Sequence, residues 1–387
     1  MIERSIDDGR DIEVAEPGAR RRVLHLINGE YYAGAERVQD LLALRLPDLG
    51  YEVSFAALKP VAFASRRNST VPIHETPMKS RVDGRAVWSV TRLLRDGNFD
   101  LVHTHTPRTA LVGSVASRLA GVPMVHHVHS PTVRDSTRGV TNRINAWTER
   151  MSLRNTAAVI ACSGSMAEYA TRIGIPDKRL FVIPNGVPGF GPLPVRAAPS
   201  DEWVIGTAAF FRPRKGIELL IAAVARLRAA GAPVRLRLVG GFESEQYRTA
   251  LLDACAAGGL DASGVDWVPF TTDVGSELRR MDVYVLPSLF GEGLSMALLE
   301  AMAAGAVVVA TDVEGVREAV RHGVDGLVVQ AGSEHAIADA LSSIVSGDAD
   351  WATLRMSAFE RHAAHFSDAR MAAQLAEAYE NVLRAKA

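Results

Sequence analysis

Short apolar runs alternate with longer segments of helical periodicity from residue 22 to residue 366. The apolar runs predict strands at 22–28, 51–58, 100–105, 123–128, 157–163 and 179–184, and again at 202–210, 234–240, 265–270, 282–288, 305–311 and 326–330. Helical segments lie between them, at 34–49, 84–96, 108–120, 140–153 and 165–173 in the first half. Continuous apolar strands that alternate with helices indicate parallel sheets covered on both faces. The pattern therefore predicts an α/β protein with doubly wound, Rossmann-like sheets.

One stretch interrupts the alternation and divides the chain. Residues 184–203 contain five prolines, a composition that neither a helix nor a central strand tolerates, so 185–202 is predicted to be a linker. It separates an N-terminal domain (22–184) from a C-terminal domain (203–366), with the cleft between them as the expected ligand site. The C-terminal segment 367–387 is amphipathic and predicts a helix, with the N-terminal domain as a candidate packing partner. The polar leader 1–21 is predicted to be disordered.

Composition and charge narrow the class of protein. A net charge of −1 argues against a nucleic-acid partner, and two cysteines build neither a disulfide framework nor a zinc ribbon. No apolar run is long enough for a membrane helix and no secretory signal is present, so a cytoplasmic protein is expected. Basic residues at 59–85 and 130–143 are compatible with peripheral contact at the inner face of the membrane, or with ordinary solvated surface.

Two charged segments at predicted strand ends are candidates for chemistry. Phe210–Gly216 reads FFRPRKG, and its three cations, Arg212, Arg214 and Lys215, would suit an anion such as a diphosphate, or form a solvated basic turn. Residues 289–312 read LFGEGLSMALLEAMAAGAVVVATD, in which Glu292 lies between glycines and Glu300 lies on an apolar helix expected to start at Gly293.

These two carboxylates have functional and structural interpretations. The amides of Gly293, Leu294 and Ser295 would face phosphates, and Glu300 would accept hydrogen bonds from a ribose diol. Alternatively, Glu300 is a buried structural carboxylate, and Glu292 pairs with Arg212 or Arg214. In the first turn of the N-terminal domain, small residues around Gly34 allow close approach of a ligand, or simply begin a helix.

Histidines form a third group of candidates. His103 and His105 lie at the end of one predicted strand, and His126, His127 and His129 lie at the end of another. They are either zinc ligands of a metal-dependent hydrolase or polar groups of the cleft, and the lack of a matching carboxylate motif favours the second interpretation. His129 is favoured as a sugar contact. The DxD at Asp348 and Asp350 is interpreted as a helix-capping turn, so no metal site is predicted.

The segment at 287–329 closely resembles the signature of the retaining glycosyltransferases of family 4, which have the GT-B fold. Its two glutamates, Glu292 and Glu300, have the spacing that marks this family. AGAERV (33–38), the segment from residue 100 to His129, and the segment from 159 into the linker match the family in the same order. The resemblance covers most of residues 22–382.

The resemblance implies a metal-independent transfer of a sugar from a UDP- or GDP-sugar to a glycan, lipid-linked or small-molecule acceptor, with retention of anomeric configuration and no cofactor. Glu292, His129 and Lys215 would be the catalytic residues. The donor would be bound by Gly34, Arg212, Arg214, Lys215, Val268, Phe270, Gly293, Leu294, Ser295 and Glu300. Within this set, Val268 and Phe270 would contact the base. The chain has Phe210 where the family usually has an arginine, which leaves Arg212 and Arg214 as candidates to replace it.

Two alternatives remain open beside transfer. A nucleotide-sugar epimerase or hydrolase on the same fold would share the donor site but need no sugar acceptor. A metal-dependent hydrolase would instead use the histidines.

Overall fold

The structure is a computed structural model that describes residues 20–80, 83–131, 147–261 and 263–386. The predicted disordered leader therefore lies almost wholly outside the described residues. The same holds for Arg81 and for most of the basic segment 130–143, on which the predicted membrane contact partly rests.

The N-terminal domain alternates strands and helices in chain order. Its elements are β1 (Arg21–Ile27), α1 (Gly34–Arg45), β2 (Tyr51–Ala57), α2 (Phe63–Arg66), β3 (Ile73–Glu75), α3 (Gly84–Asp96), β4 (Leu101–Thr104), α4 (Pro107–Ala120), β5 (Met124–Val128), α5 (described over 147–153), β6 (Ala158–Ala161), α6 (Gly164–Arg172) and β7 (Leu180–Val182). Ser163 caps α6 by accepting a hydrogen bond from the amide of Met166, as its position before the helix predicts.

The C-terminal domain repeats the alternation. Its elements are β8 (Trp203–Ala208), α7 (Ile217–Ala229), β9 (Val234–Val239), α8 (Glu245–Ala257), β10 (Val265–Val268), α9 (Val274–Arg279), β11 (Val283–Leu286), α10 (Met296–Ala304), β12 (Val307–Thr311), α11 (Val316–Ala319), β13 (Leu327–Val329), α12 (Glu334–Val345), α13 (Trp351–His365) and α14 (Asp368–Arg384). Asp350 caps α13 through the amides of Ala352 and Thr353, which confirms the interpretation of the DxD as a capping turn.

Both sheets are parallel and doubly wound, which confirms the predicted fold class. The first sheet has the order β3-β2-β1-β4-β5-β6-β7, and the second has the order β10-β9-β8-β11-β12-β13. In each sheet the chain reverses its winding direction once, between β1 and β4 and between β8 and β11. Ligands of such sheets bind outside the carboxyl ends of the strands at this switch point.

All predicted strands except β1 are shorter than the apolar runs that predict them, and β3 is not among the predicted strands. The run at 157–163, for example, yields a strand only over Ala158–Ala161. Cys162 and Ser163 are buried as well, but they turn out of the sheet toward α6. Burial therefore extends past the hydrogen-bonded ladder, and an apolar pattern alone overestimates strand length.

The linker and α14 connect the domains at one place. Val187, in the linker, pairs with Ser367, where α14 begins. From there α14 packs on the N-terminal domain: Arg45 of α1 contacts Asp368 at 2.8 Å, and Tyr51 of β2 donates a hydrogen bond to the carbonyl of Ala376. The last helix thus belongs spatially to the first sheet.

Further contacts join the two domains across the cleft. Glu318 of α11 accepts hydrogen bonds from the amides of Gly164 and Ser165 at the start of α6. The side chain of Asn185 donates to the carbonyl of Leu294 at 2.8 Å. No helix in the described part of the chain is long and apolar enough to span a bilayer.

Candidate functional site

The switch point of the second sheet brings the two predicted charged segments together. The loop after β8 carries Arg212–Gly216, and the loop after β11 carries Ser288–Glu292. At Gly216 the backbone is left-handed, with φ +62°, and a β-carbon would lie 2.2 Å from the carbonyl oxygen of Pro287. Only glycine permits this close approach of the two loops.

Lys215 and Glu292 form a buried ion pair at this point. The Nζ atom of Lys215 lies 2.5 Å from Oε1 of Glu292, and Ser288 donates a hydrogen bond to the same oxygen at 2.7 Å. Arg214 Nη1 lies 3.5 Å from that oxygen. Burial favours the neutral acid, but the two cations outweigh it, so the pKa of Glu292 lies below its usual value. Lys215 and Arg214 are therefore not parts of a solvated basic turn.

The loop that carries Glu292 is held from both sides. The amides of Gly291 and Glu292 donate to Oε2 of Glu314, at 2.9 and 3.1 Å. Arg214 donates to the carbonyls of Phe290 and Gly291. Sequence reasoning missed Glu314, because it follows a different strand and only the parallel sheet places it beside the loop.

Glu300 pairs with a residue of the other domain. The expectation that its helix starts at Gly293 is wrong, because α10 begins at Met296 and residues 293–295 form a non-helical approach. Glu300 is 3% exposed, and Arg37 Nη2 of α1 lies 2.7 Å from its Oε1. Burial raises the pKa of Glu300, and Arg37 partly offsets that effect. Arg37 was also missed, although its place in the first turn after Gly34 directs it toward the cleft.

Gly293 lies against the N-terminal domain. A β-carbon at this position would lie 2.0 Å from the carbonyl oxygen of His129, so a larger residue would push the two domains apart. Gly34 is less constrained, since a β-carbon there would meet only Met296, at 3.8 Å.

The other predicted donor residues make contacts of their own. Arg212 approaches Glu243 at 3.8 Å and stacks over the ring of Phe210. Phe270 is 43% exposed, and the guanidinium of Arg66, from the opposite domain, lies 4.5 Å from its ring centre. Val268 ends β10 and is half-buried. Leu294 and Ser295 are buried in the approach to α10.

The histidines gather at the switch point of the first sheet. His105, His127 and His129 place nitrogens within 4.8 Å of one another, and so do His25, His103 and His105. His25 was not among the predicted candidates, although it pairs with His103 in the ladder of β1 and β4. Burial lowers the pKa of His129 and His25 to about 3, so both imidazoles are neutral.

Comparisons with known proteins agree with this arrangement. Residues 32–188 match the family model described as Glycosyltransferase Family 4, and residues 202–346 match that described as Glycosyl transferases group 1. Two doubly wound sheets whose switch points face each other across a charged cleft, with these matches, define a glycosyltransferase of the GT-B type.

Relatives and solved structures place the chain more closely. It is 31% identical to a phosphatidyl-myo-inositol mannosyltransferase of Mycobacterium leprae, over 67% of each chain. It is 31% identical to an alpha-maltose-1-phosphate synthase of Mycolicibacterium smegmatis (73% of this chain, 79% of the relative) and 28% identical to a D-inositol 3-phosphate glycosyltransferase of Thermobispora bispora (88% of each). The chain belongs to glycosyltransferase family 4, as its two-glutamate segment predicts.

The fold agrees with solved structures at lower sequence identity. Anabaena HepE in complex with UDP and glucose superimposes with a TM-score of 0.81 at 22% identity, covering 94% of this chain and all of that one. Sucrose-phosphate synthase from Thermosynechococcus elongatus also gives 0.81, at 23% identity, covering 95% of this chain and all of that one. The roles assigned above to individual residues stay predictions.

The buried ion pair generates a test of stability. We expect Lys215→Met to lower the free energy of unfolding by about 3 kcal/mol, because it leaves the buried carboxylate of Glu292 with Arg214, at 3.5 Å, as its remaining cation. Adding Glu292→Gln should restore much of that loss, which urea unfolding of the single and double variants measures. Arg212→Met, which removes a more exposed pair, should cost less than about 1 kcal/mol. Additive losses in the double variant would contradict the pairing.

Glu36, in the first turn of α1, generates a test of pH dependence. Burial raises the pKa of its carboxyl from 4.5 to about 7. The folded state therefore binds this proton more tightly than the unfolded state, and stability falls as pH rises through that interval. The stability gained by Glu36→Gln should be greater by about 3 kcal/mol at about pH 8 than at about pH 4. Urea unfolding of both proteins at both pH values measures this difference. A stability gain from Glu36→Gln that is the same at both pH values would refute the raised pKa of Glu36.

Proposed function

We propose that this protein is a retaining glycosyltransferase that takes its sugar from a UDP- or GDP-sugar and needs no metal ion. The observation that carries the proposal is the buried group of Lys215, Arg214 and Glu292 at the switch point of the second sheet. Breaking the bond between the sugar and the phosphate leaves negative charge on the diphosphate. Two fixed cations in a largely water-excluded cleft are suited to stabilise that charge.

The carboxylate of Glu292 has a defined part in this scheme. It pairs with both Lys215 and Arg214 in this structure and offsets one of their two charges, so a diphosphate that enters must share these cations with it. Because Glu314 and Arg214 fix the loop, Glu292 stays beside the transferred sugar. The acceptor hydroxyl attacks the anomeric carbon from the face that the diphosphate leaves, and its proton passes to the departing phosphate oxygen. The configuration is then retained.

Glu300 would bind the donor ribose. A buried carboxylate is a strong acceptor for a diol, and its present partner is a single guanidinium, that of Arg37. A donor would replace this ion pair with hydrogen bonds from the ribose. Since Arg37 belongs to the N-terminal domain and Glu300 to the C-terminal domain, donor binding and the relation between the domains are coupled.

The acceptor is proposed to carry an anionic group. At the carboxyl edge of the first sheet, Lys59 lies 2.7 Å and Arg108 lies 3.9 Å from one carboxylate oxygen of Glu30, and Arg108 also donates to Asn28 at 2.7 Å. Two cations share one carboxylate, which leaves a positive excess. The three relatives named above have phosphatidylinositol, maltose 1-phosphate and inositol 3-phosphate in their names, and this supports a phosphate-bearing acceptor.

Donor identity and stereochemistry can be measured together. UDP- and GDP-sugars are incubated with and without an inositol phosphate acceptor, in EDTA, and the anomeric proton of the product is followed by NMR. We expect acceptor-dependent product with the anomeric configuration of the donor. An epimer or free sugar formed at a rate independent of acceptor would instead favour an epimerase or hydrolase.

Glu300→Gln tests the ribose contact. Hydrogen bonds to a charged group contribute about 1.5–3 kcal/mol, so kcat/KM for the donor should fall by about 10- to 150-fold. The thermal shift caused by UDP or GDP should shrink with it. Glu245→Gln, on the exposed face of α8, serves as the control. Donor binding by Glu300→Gln equal to that of the unaltered protein would refute the role.

Arg108→Gln tests the acceptor. Its KM for an inositol phosphate should rise about tenfold, since one charge-assisted hydrogen bond is lost, while the KM for the donor stays constant. Arg92→Gln, at an exposed position of α3, is the matched control. Equal use of inositol and its phosphate by the unaltered protein would contradict an anionic acceptor.

A further inference from the structure

Five side chains form a continuous line of polar contacts through the N-terminal domain. His129 Nε2 lies 3.2 Å from His105 Nδ1, and His105 Nε2 lies 3.1 Å from His25 Nδ1. His25 Nε2 lies 3.3 Å from the hydroxyl of Tyr379, which lies 2.6 Å from His103 Nδ1. We call this line the histidine chain. It runs from His103 on β4, through Tyr379 on α14, to His129, next to the C-terminal domain.

The histidine chain is buried, which fixes its protonation. His25, His103 and Tyr379 are fully buried and His105 is 3% exposed. Burial also lowers the pKa of all four histidines. A neutral imidazole donates through one nitrogen and accepts through the other. Each contact therefore sets the direction of the next, and the whole line runs one way or the other.

The distances at Tyr379 select the direction. A hydroxyl that donates typically gives a separation of about 2.5–3.0 Å, whereas N–H donors give about 2.7–3.2 Å. The 2.6 Å contact lies within the range for donation by Tyr379 to His103, and the 3.3 Å contact is too long for a hydroxyl donor and lies nearer to the range for donation by His25. His25 then accepts from His105, and His105 accepts from His129. His129 carries its proton on Nε2, and its Nδ1 is left as an acceptor.

Both ends of this line, Nε2 of His103 and Nδ1 of His129, lack a hydrogen-bond partner among the residues that the structure describes. His129 Nδ1 is buried and has no hydrogen-bond partner among the residues that the structure describes. A buried acceptor without a donor is costly, so a hydroxyl that reaches it gains a hydrogen bond that no described residue supplies. The backbone carbonyl of His129 packs on Gly293, the residue that follows Glu292.

We propose that Tyr379 is a positioning residue for the transferase: through His25 and His105 it holds His129 in the tautomer whose Nδ1 accepts a hydrogen bond from a sugar hydroxyl. The sugar hydroxyl in this inference rests on the proposed function. The tautomer of His129 rests only on the contacts within the histidine chain. The role of Tyr379 gives the C-terminal helix, which lies outside the second domain, a part in the site.

The orientation of the imidazole rings bears on whether these histidines bind a metal ion. The rings of His127 and His129 stack at 4.2 Å with an angle of 19°, and those of His105 and His129 are inclined by 16°. A metal ion lies in the plane of every imidazole that binds it, and nearly parallel rings direct their lone pairs side by side. At His105, His127 and His129, this arrangement therefore argues against convergent metal ligands.

The tautomer is read directly by NMR. The protein is labelled with 15N-histidine, His129 is assigned by difference with His129→Gln, and the nitrogen that carries the proton is identified from long-range 1H–15N couplings. We expect the Nε2–H tautomer at His129 in the unaltered protein, whether or not a substrate has been found. The Nδ1–H tautomer would overturn the proposal.

Two variants test the cause. Tyr379→Phe removes the hydroxyl but keeps the ring; it should yield a mixture of tautomers at His129 and lower kcat about tenfold, with the KM for the donor unchanged. His103→Leu removes the acceptor that orients the hydroxyl and should shift His129 toward Nδ1–H. Unchanged tautomers in both variants would overturn the proposal.

Tyr51→Phe is the matched control. Its ring packs on that of Tyr379 at 5.4 Å and its hydroxyl bonds to α14, but it is not in the histidine chain. It should reproduce any loss of stability without changing the tautomer or kcat. Elemental analysis of untagged protein completes the test. One zinc ion per protein molecule, lost in His129→Gln, would show that the histidines form a metal site and would overturn the proposal.

Discussion

The contact between Lys215 and Glu292 is the constraint on which the site depends. It joins the loops after β8 and β11, the two neighbouring strands at which the second sheet reverses its winding direction. Neither charge could be buried alone, because an unpaired ion in a largely dry interior is strongly destabilised. Together they place two opposite charges at the point of the fold where a ligand is expected. The hydrogen bonds from Ser288, and from the loop amides to Glu314, hold that arrangement rigid.

The second constraint is the close approach of the two domains. Arg37 reaches Glu300 from across the cleft, Glu318 caps a helix of the opposite domain, and Gly293 packs directly on the backbone of His129. Each of these contacts joins residues that are far apart in the chain. A nucleotide that replaced Arg37 at Glu300 would exchange a contact between domains for a contact with ligand. Under the proposed role of Glu300, donor binding and domain closure are parts of one equilibrium.

The C-terminal helix extends this coupling. The chain leaves the second domain beside the linker at Val187 and returns to the first domain, where α14 contributes Tyr379 to the interior of its sheet. A neutral line of imidazoles costs less to bury than a charged one, and its depressed pKa values keep it neutral at physiological pH. In such a line, each hydrogen bond fixes which nitrogen of the next imidazole donates, and no imidazole carries a charge.

Much of this could be predicted from the sequence, because local chemistry determines it. Periodicity predicts the two parallel sheets, the prolines mark the linker, and the resemblance of residues 287–329 to the signature of family 4 indicates the family. Lys215 and Glu292 were predicted as site residues because both follow apolar strands. Arg37, Glu314, His25 and Tyr379 could not be predicted in the same way, since each acquires its partner only when parallel strands or separate domains come together. The sequence determined which residues stand at strand ends; the tertiary structure alone decided which of them meet, because a contact across a sheet or a cleft leaves no spacing in the chain.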